Sequence, residues 1–365
     1  MMILRKALGT TTLCIAPLLV CSVFAQSKAA APPATPQVNA KTVMMAVTVR
    51  DKHDELVPNL TKDDFTLAAD GRPQTIMTFM QADTLPLTVG VLVETSVDQR
   101  AALDAERSAS RQFLDTMLAN ARVKAFLIQF AGEVDLLADM STEKSKLDAA
   151  VGQLGTPQFR NTGDAQSSGS GGGATLYDAI YLASSEMMKK LPERKVLIVL
   201  TDGVDRGSKE SLFSTIEAAQ RANTAVYAIY FKGEKQRNNN NNGFPGQRRG
   251  RTGGGYPGGG GGYPGGGGGW PGRGGNHPSR PTEGSRINGE KVLEQICNET
   301  GGHMYQVDHK HPAKQAVSTI AGALHAQYMV GFTPDKQTSG YNRVTLTAKK
   351  KDLFVQARQG YYAEE

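Results

Sequence analysis

From Leu87 to Val93 the chain reads Leu-Thr-Val-Gly-Val-Leu-Val, an almost unbroken apolar run. That pattern predicts a parallel strand buried on both faces. Similar runs at Val123–Phe130, Lys195–Leu200 and Ala225–Phe231 predict three more, and Glu133–Leu137 a shorter edge strand. Helical periodicity separates them, over about 99–118, 142–154, 176–190 and 208–222. In the third of these, Leu176, Ile180, Ala183 and Met187 share one face. A helix near 287–298, a short strand at 303–307 and a helix at 313–326 continue the alternation. Strands alternating with helices predict an α/β fold with a doubly wound, mostly parallel sheet.

The pattern changes to period two at both flanks. Val43–Val49, Phe65–Leu67 and Thr75–Phe79 predict strands before the α/β region, with a turn at Asp70-Gly71-Arg72-Pro73. Gln327–Phe332, Arg343–Ala348 and Leu353–Ala357 predict strands after it. Neither flank has enough strands to close a core. The expected organisation is therefore one β-sandwich, built from 43–83 and 327–365, with the α/β domain, 84–326, inserted into it. Two separate small β pieces are the alternative.

Composition adds an address. Arg5 and Lys6, the apolar stretch Ala7–Val20 and the Val23-Phe24-Ala25 tripeptide predict a secretory signal over 1–25. An N-terminal membrane anchor is the alternative. Val20 before Cys21 argues against lipidation. Cys14 and Cys21 leave with the leader, so Cys297 remains alone and no internal disulfide forms. The expected location is periplasmic or extracellular, with no membrane span after cleavage. Residues 26–42, rich in Ala, Pro and Gln, predict a disordered spacer.

Two low-complexity insertions, 158–173 and 234–286, are expected to be disordered. Of the 41 glycines, 19 lie between Gly243 and Gly275. The second insertion carries eight Lys/Arg against two Glu, a charge of +6, so once the leader's Arg5 and Lys6 are removed the rest of the mature chain is slightly acidic, about −2. Arg248, Arg249 and Arg251, with Tyr256, Tyr263 and Trp270 nearby, have the composition of segments that bind nucleic acid by charge and stacking. For an exported protein a solubilising spacer, or a contact with anionic envelope polymers, is the expected role, and nucleic acid is not an expected partner.

Ligands of open α/β sheets bind beyond the carboxyl ends of the strands. There the chain carries Glu94-Thr95-Ser96-Val97-Asp98 and Thr201-Asp202-Gly203, oxygen donors suited to a hard cation. With Ala174-Thr175-Leu176-Tyr177-Asp178-Ala179-Ile180, Leu200-Thr201-Asp202-Gly203, Asn59-Leu60-Thr61-Lys62-Asp63-Asp64-Phe65, and Gln327-Tyr328-Met329-Val330-Gly331-Phe332-Thr333-Pro334, the sequence resembles a von Willebrand factor A-type domain. More closely it resembles the secreted bacterial, acidobacterial-type VWFA-related family.

The resemblance implies a metal ion, Mg²⁺ or another divalent cation, held by Glu94, Ser96, Asp98, Thr175 and Asp202, with an open position for a partner protein's carboxylate. Three departures from the family pattern matter. Glu94 replaces Asp, Asp98 replaces a hydroxyl, and the family's Thr position falls on Ala174, with Thr175 one residue late. The alternative is a degenerate site in which Ser96 and Asp98 cap the following helix. His303, His309 and His311 are expected to be solvated loop residues, and Cys297 a core residue. No phosphate loop, dinucleotide fingerprint, zinc-protease motif or nucleophile elbow occurs, so no enzyme is expected. The expected function is an exported protein-interaction or adhesion module with a degenerate metal-dependent site. The alternatives are a metal-independent scaffold of the envelope, or polyanion binding through the basic Gly-rich loop.

Overall fold

A computed structural model of the chain describes residues 42–155, 173–232, 288–335 and 339–363. The leader, the spacer as far as residue 41, and the two low-complexity insertions apart from Gly173 lie outside the described residues. In chain order the elements are β1 (Val43–Asp51), β2 (Phe65–Ala69), β3 (Arg72–Gln74), β4 (Thr78–Gln81), β5 (Leu87–Glu94), α1 (Leu103–Leu118), β6 (Val123–Phe130), β7 (Val134–Ser141), α2 (Lys144–Gln153), α3 (Leu176–Leu182), β8 (Arg194–Thr201), α4 (Leu212–Arg221), β9 (Thr224–Phe231), α5 (Gly289–Thr300), β10 (Met304–Val307), α6 (Ala313–His325), β11 (Tyr328–Phe332), β12 (Gly340–Ala348), β13 (Leu353–Gln356) and β14 (Gly360–Ala363).

Six strands form the central sheet in the order β10-β9-β8-β5-β6-β7. All neighbours are parallel except β6 and β7. β5 and β8 are buried at every position, which is why they read as continuous apolar runs. Helices α1, α2 and α6 cover one face and α3, α4 and α5 the other, each closing a separate apolar core. Gly90 sits mid-strand in β5 because a Cβ there would collide with Phe126 and Leu197. Strand order reverses between β5 and β8, so the crevice that such sheets use for ligands opens at the ends of these two strands.

The flanking strands form two four-stranded sheets, β13-β1-β11-β4 and β14-β12-β2-β3. Their inward side chains meet in one cluster. Val43, Met45, Val47 and Val49 of β1 and Tyr328, Val330 and Phe332 of β11 share it with Phe65, Leu67, Val344 and Leu346. Each sheet takes strands from both ends of the chain, so neither end has a packed face without the other. The hydroxyl of Tyr328 accepts from Leu60 N–H at 3.0 Å and donates to Val57 C=O at 3.0 Å, pinning the connection after β1 to this core.

Two local expectations change. The turn at 70–73 is shorter than expected. Asp70 and Gly71 both have positive φ (46° and 76°), the signature of a two-residue hairpin turn, so Arg72-Pro73 already belongs to β3. Pro73 is tolerated because β3 is an edge strand. Thr75, Ile76 and Met77 then form the crossing to the other sheet, and β4 begins only at Thr78. Helix α1 starts at Leu103 rather than near Gln99, because a 3₁₀ turn over Val97–Gln99 comes first.

The sandwich packs against the amino-terminal end of the parallel sheet. At the first residue of β8, the Arg194 guanidinium donates to Ala82 C=O at 2.7 Å, Leu324 C=O at 2.8 Å and Gln327 Oε1 at 2.6 Å. It thereby ties together the two places where the chain enters and leaves the α/β domain. Gln327 in turn donates to the Tyr227 hydroxyl at 3.0 Å. Arg50 donates to the Tyr305 hydroxyl at 2.9 Å, and the Gln356 side chain to Gly302 C=O. The carboxyl ends of the strands therefore point away from the sandwich. Among the described residues no helix is long and apolar enough to cross a membrane.

Candidate metal centre

Three loops meet at the strand switch. The loop after β5 brings Glu94 to Asp98, the approach to α3 brings Ala174 and Thr175, and the loop after β8 brings Thr201 to Ser208. Backbone bonds stitch them together. Thr95 N–H donates to Phe130 C=O (2.9 Å), Thr175 N–H to Ala131 C=O (2.8 Å) and Arg206 N–H to Ala174 C=O (2.9 Å). Side chains of the β8 loop also close the open first turn of α3. Tyr177 N–H donates to Asp205 Oδ1 and Asp178 N–H to Ser208 Oγ, while Asp178 accepts back from Lys209 and Glu210 N–H.

Glu94 is fully buried. Its Oε1 accepts from Ser96 Oγ (2.5 Å), and its Oε2 from Thr201 Oγ1 (2.5 Å) and Asp202 N–H (3.2 Å). Burial first, and the Asp202 charge second, push its carboxyl up to about 7 against those three donors. Asp202 is also raised by burial. The Val204 N–H and the Arg206 charge oppose that rise, and the Asp98 charge adds to it. Asp98 itself points outward and pairs with Arg206 Nη1 at 2.5 Å, both side chains being partly exposed.

Glu94, Ser96, Thr175 and Asp202 are thus buried at one rim, and Asp98 stands at its edge. The helix-capping alternative for Ser96 and Asp98 is not what forms. Ser96 has no cap bond and gives its hydroxyl to Glu94, while Asp98 is drawn to Arg206. A guanidinium offers a carboxylate more than one backbone N–H at a solvated turn does.

The rim holds residues that the spacing alone did not single out. Glu106, on α1, is fully buried and has no hydrogen-bond partner on either oxygen among the described residues. Burial, then the charges of Glu94 and Asp202, hold its carboxyl well above the usual range. Its signal in the sequence is a carboxylate on the apolar stripe Leu103, Glu106, Ala109, Phe113, Met117. Arg206 had no such signal, because its role depends on a partner 108 positions away.

A hard divalent cation fits this donor set. The Thr175 hydroxyl is buried with no partner among the described residues, and a cation would relieve the mutual repulsion of the Glu94, Asp202 and Glu106 carboxyl groups. Among the described residues no three Asp, Glu, His or Cys side chains form a group that could hold a metal ion by themselves. The histidines do not converge. His303 packs on Tyr305, ring centroids 4.8 Å apart, while exposed His311 bonds Asp308 at 3.0 Å. Cys297 is fully buried, and its thiol is pushed up by burial, as suits a core residue.

A family model described as von Willebrand factor type A domain matches residues 100–243 of the chain. The match begins just past Glu94–Asp98. Solved structures similar to this chain include an aerotolerance-related membrane protein from Bacteroides fragilis, 15% identical, covering 65% of this chain and 98% of that one, with a TM-score of 0.38. Another is the protein BatB from Bacteroides thetaiotaomicron, 17% identical, with 65% and 98% covered and a TM-score of 0.40. A third is proximal thread matrix protein 1 from the mussel byssus with a zinc-occupied MIDAS motif, 11% identical, with 71% and 50% covered and a TM-score of 0.42. No curated protein matches the chain.

Proposed function

We propose that this chain is an exported, non-enzymatic protein-interaction module whose working face is the rim at the ends of β5 and β8, and that this rim takes a divalent cation. The observation that carries the reading is the cluster of buried, mutually repelling Glu94, Asp202 and Glu106 carboxyl groups, with the Thr175 hydroxyl buried and unpartnered on an adjoining loop. Ser96, Thr175 and Asp202 would hold the ion, with Glu94 orienting the Ser96 hydroxyl and the 201–202 backbone. A bound ion supplies a Lewis-acidic position for a carboxylate oxygen of a partner protein. Asp98 is held to one side by Arg206, so its charge does not stand over that position. Export rests on the signal-like leader, and the absence of enzymatic activity on the absence of a nucleophile or acid–base motif.

The Asp98–Arg206 pair favours a second reading, a cation-free rim in which the guanidinium supplies the positive charge. Calorimetric titration of the full chain with Mg²⁺ and Mn²⁺ separates the two. The first reading expects saturable binding that Asp202→Ala and Thr175→Val each abolish. No heat with either ion, from protein that is folded by circular dichroism, would leave only the cation-free reading.

A further inference from the structure

The opposite end of the same sheet holds the reverse situation. Where β8 begins, a cavity of about 30 Å³ lies between the sandwich and the α/β domain, lined among others by Ala46, Arg194, Lys195, Met329 and Arg358. Three basic side chains surround it. Arg194 is 9% exposed and Lys195 8%. None of the three has a carboxylate within ion-pair distance among the described residues. The nearest acid in sequence, Glu193, is committed to Lys124 and to the Thr88 hydroxyl.

What the cations do touch is neutral. Lys195 Nζ donates to Leu191 C=O at 2.8 Å, Arg358 Nη2 to Met44 C=O at 3.0 Å, and Arg194 to the carbonyl groups that join the two domains. The Nε–H groups of Arg194 and Arg358 are both buried without an acceptor among the described residues. Unpaired buried charge is costly to stability, and an unsatisfied buried donor adds to that cost. Burial pushes Lys195 down to about 8; the Glu193 charge opposes that shift and the nearby Arg358 charge adds to it, so Lys195 and Arg358 repel.

We infer that this cavity is a binding site for a small monovalent inorganic anion of the halide class, held by Arg194, Lys195 and Arg358 at the seam between the two domains. The volume is about that of one water molecule, which suits a halide better than a larger oxyanion. Ala46, Val196, Ala225 and Met329 supply the apolar part of the lining and Asn223, Thr300 and Gln327 its neutral polar part, so no carboxylate lines the cavity to compete with an anion. The bound anion would turn three cations into the joint that fixes the angle between the sandwich and the α/β domain.

Thermal melting of the full chain at constant ionic strength tests this. Replacing sodium gluconate by sodium chloride or bromide is expected to raise Tm by about 3–5 °C, saturably. Lys195→Met is expected to lose that increment while remaining folded. Equal melting in gluconate and chloride, or a full increment in Lys195→Met, overturns the inference. Should the variant fail to fold, crystals of the unmodified chain soaked in bromide decide. An anomalous peak between Arg194 and Arg358 supports the site, and an ordered water there without anomalous signal overturns it.

Discussion

The rim and the seam are opposite ends of one parallel sheet, and each gathers charge of a single sign. At the rim, Glu94, Asp202 and Glu106 crowd together; at the seam, Arg194, Lys195 and Arg358 do. They differ in what answers the charge. Glu94 is saturated by two hydroxyls and a backbone N–H, and Asp202 feels Arg206, while the seam cations meet only carbonyl oxygens. The rim lies at the carboxyl ends of β5 and β8, with Asp98 and Arg206 partly exposed at its edge. The seam lies between the sandwich and the α/β domain, where β8 begins.

The largest test of this contrast is at the seam. Arg194→Met strands Ala82 C=O, Leu324 C=O and the Gln327 amide at once, so a loss of about 3–5 kcal/mol is expected in urea denaturation. A loss under about 1 kcal/mol would mean that water replaces the guanidinium freely and that the seam is open.

The two ends also predict opposite pH slopes. Glu94 is raised from 4.5 to about 7, so between those values the folded chain holds a proton that the unfolded chain has released, and stability falls as pH rises. Lys195 is lowered from 10.5 to about 8, so above 8 the unfolded chain holds the extra proton, and stability rises with pH. Each slope amounts to roughly 3 kcal/mol. Glu94→Gln should reduce the first slope, to which the raised Glu106 and Asp202 also contribute, and leave the second; Lys195→Met should flatten the second and leave the first, read from melting between pH 4.5 and 10.

Next in size is Glu106. With no partner on either oxygen, it costs stability in the absence of a ligand. Glu106→Leu should raise the unfolding free energy by about 1–3 kcal/mol without added cation. A destabilised Glu106→Leu would mean that the carboxyl group is bonded within the fold. The smallest effect is expected of Asp98→Asn, under about 1 kcal/mol, because both partners of the Arg206 pair are partly exposed.

How much of this was legible in the chain follows from which signals are local. Leu87–Val93 and Lys195–Leu200 announce buried parallel strands because burial on both faces removes polar residues from every position. Val344, Leu346 and Ala348 announce a strand with one buried face by alternation. Glu94, Ser96 and Asp202 were legible from position at strand ends. Asp98 was legible as a candidate, but its capture by Arg206 was not, since ion pairs between loops leave no periodic trace. Lys195 opens the apolar run that predicts β8, and only the packing of the sandwich on that strand's first residues buries it together with Arg194. Pro73 misled in the other direction: it reads as a turn residue, and edge position alone makes it a strand residue.

The interleaving of the two sandwich sheets has a consequence for the order in which the molecule forms. Val43 pairs with Phe332, partners at opposite ends of the described chain, so closing the sandwich directly would mean fixing a very long loop before any strand pair rewards it. Folding of the α/β domain brings Ala82 and Gln327 to the same arginine and shortens that search to a few residues on each side. Hydrogen exchange during refolding should therefore protect β5 and β8 first and β1 and β11 last. The sandwich is then a late-formed clasp, and its completion marks chains whose inserted domain has already folded.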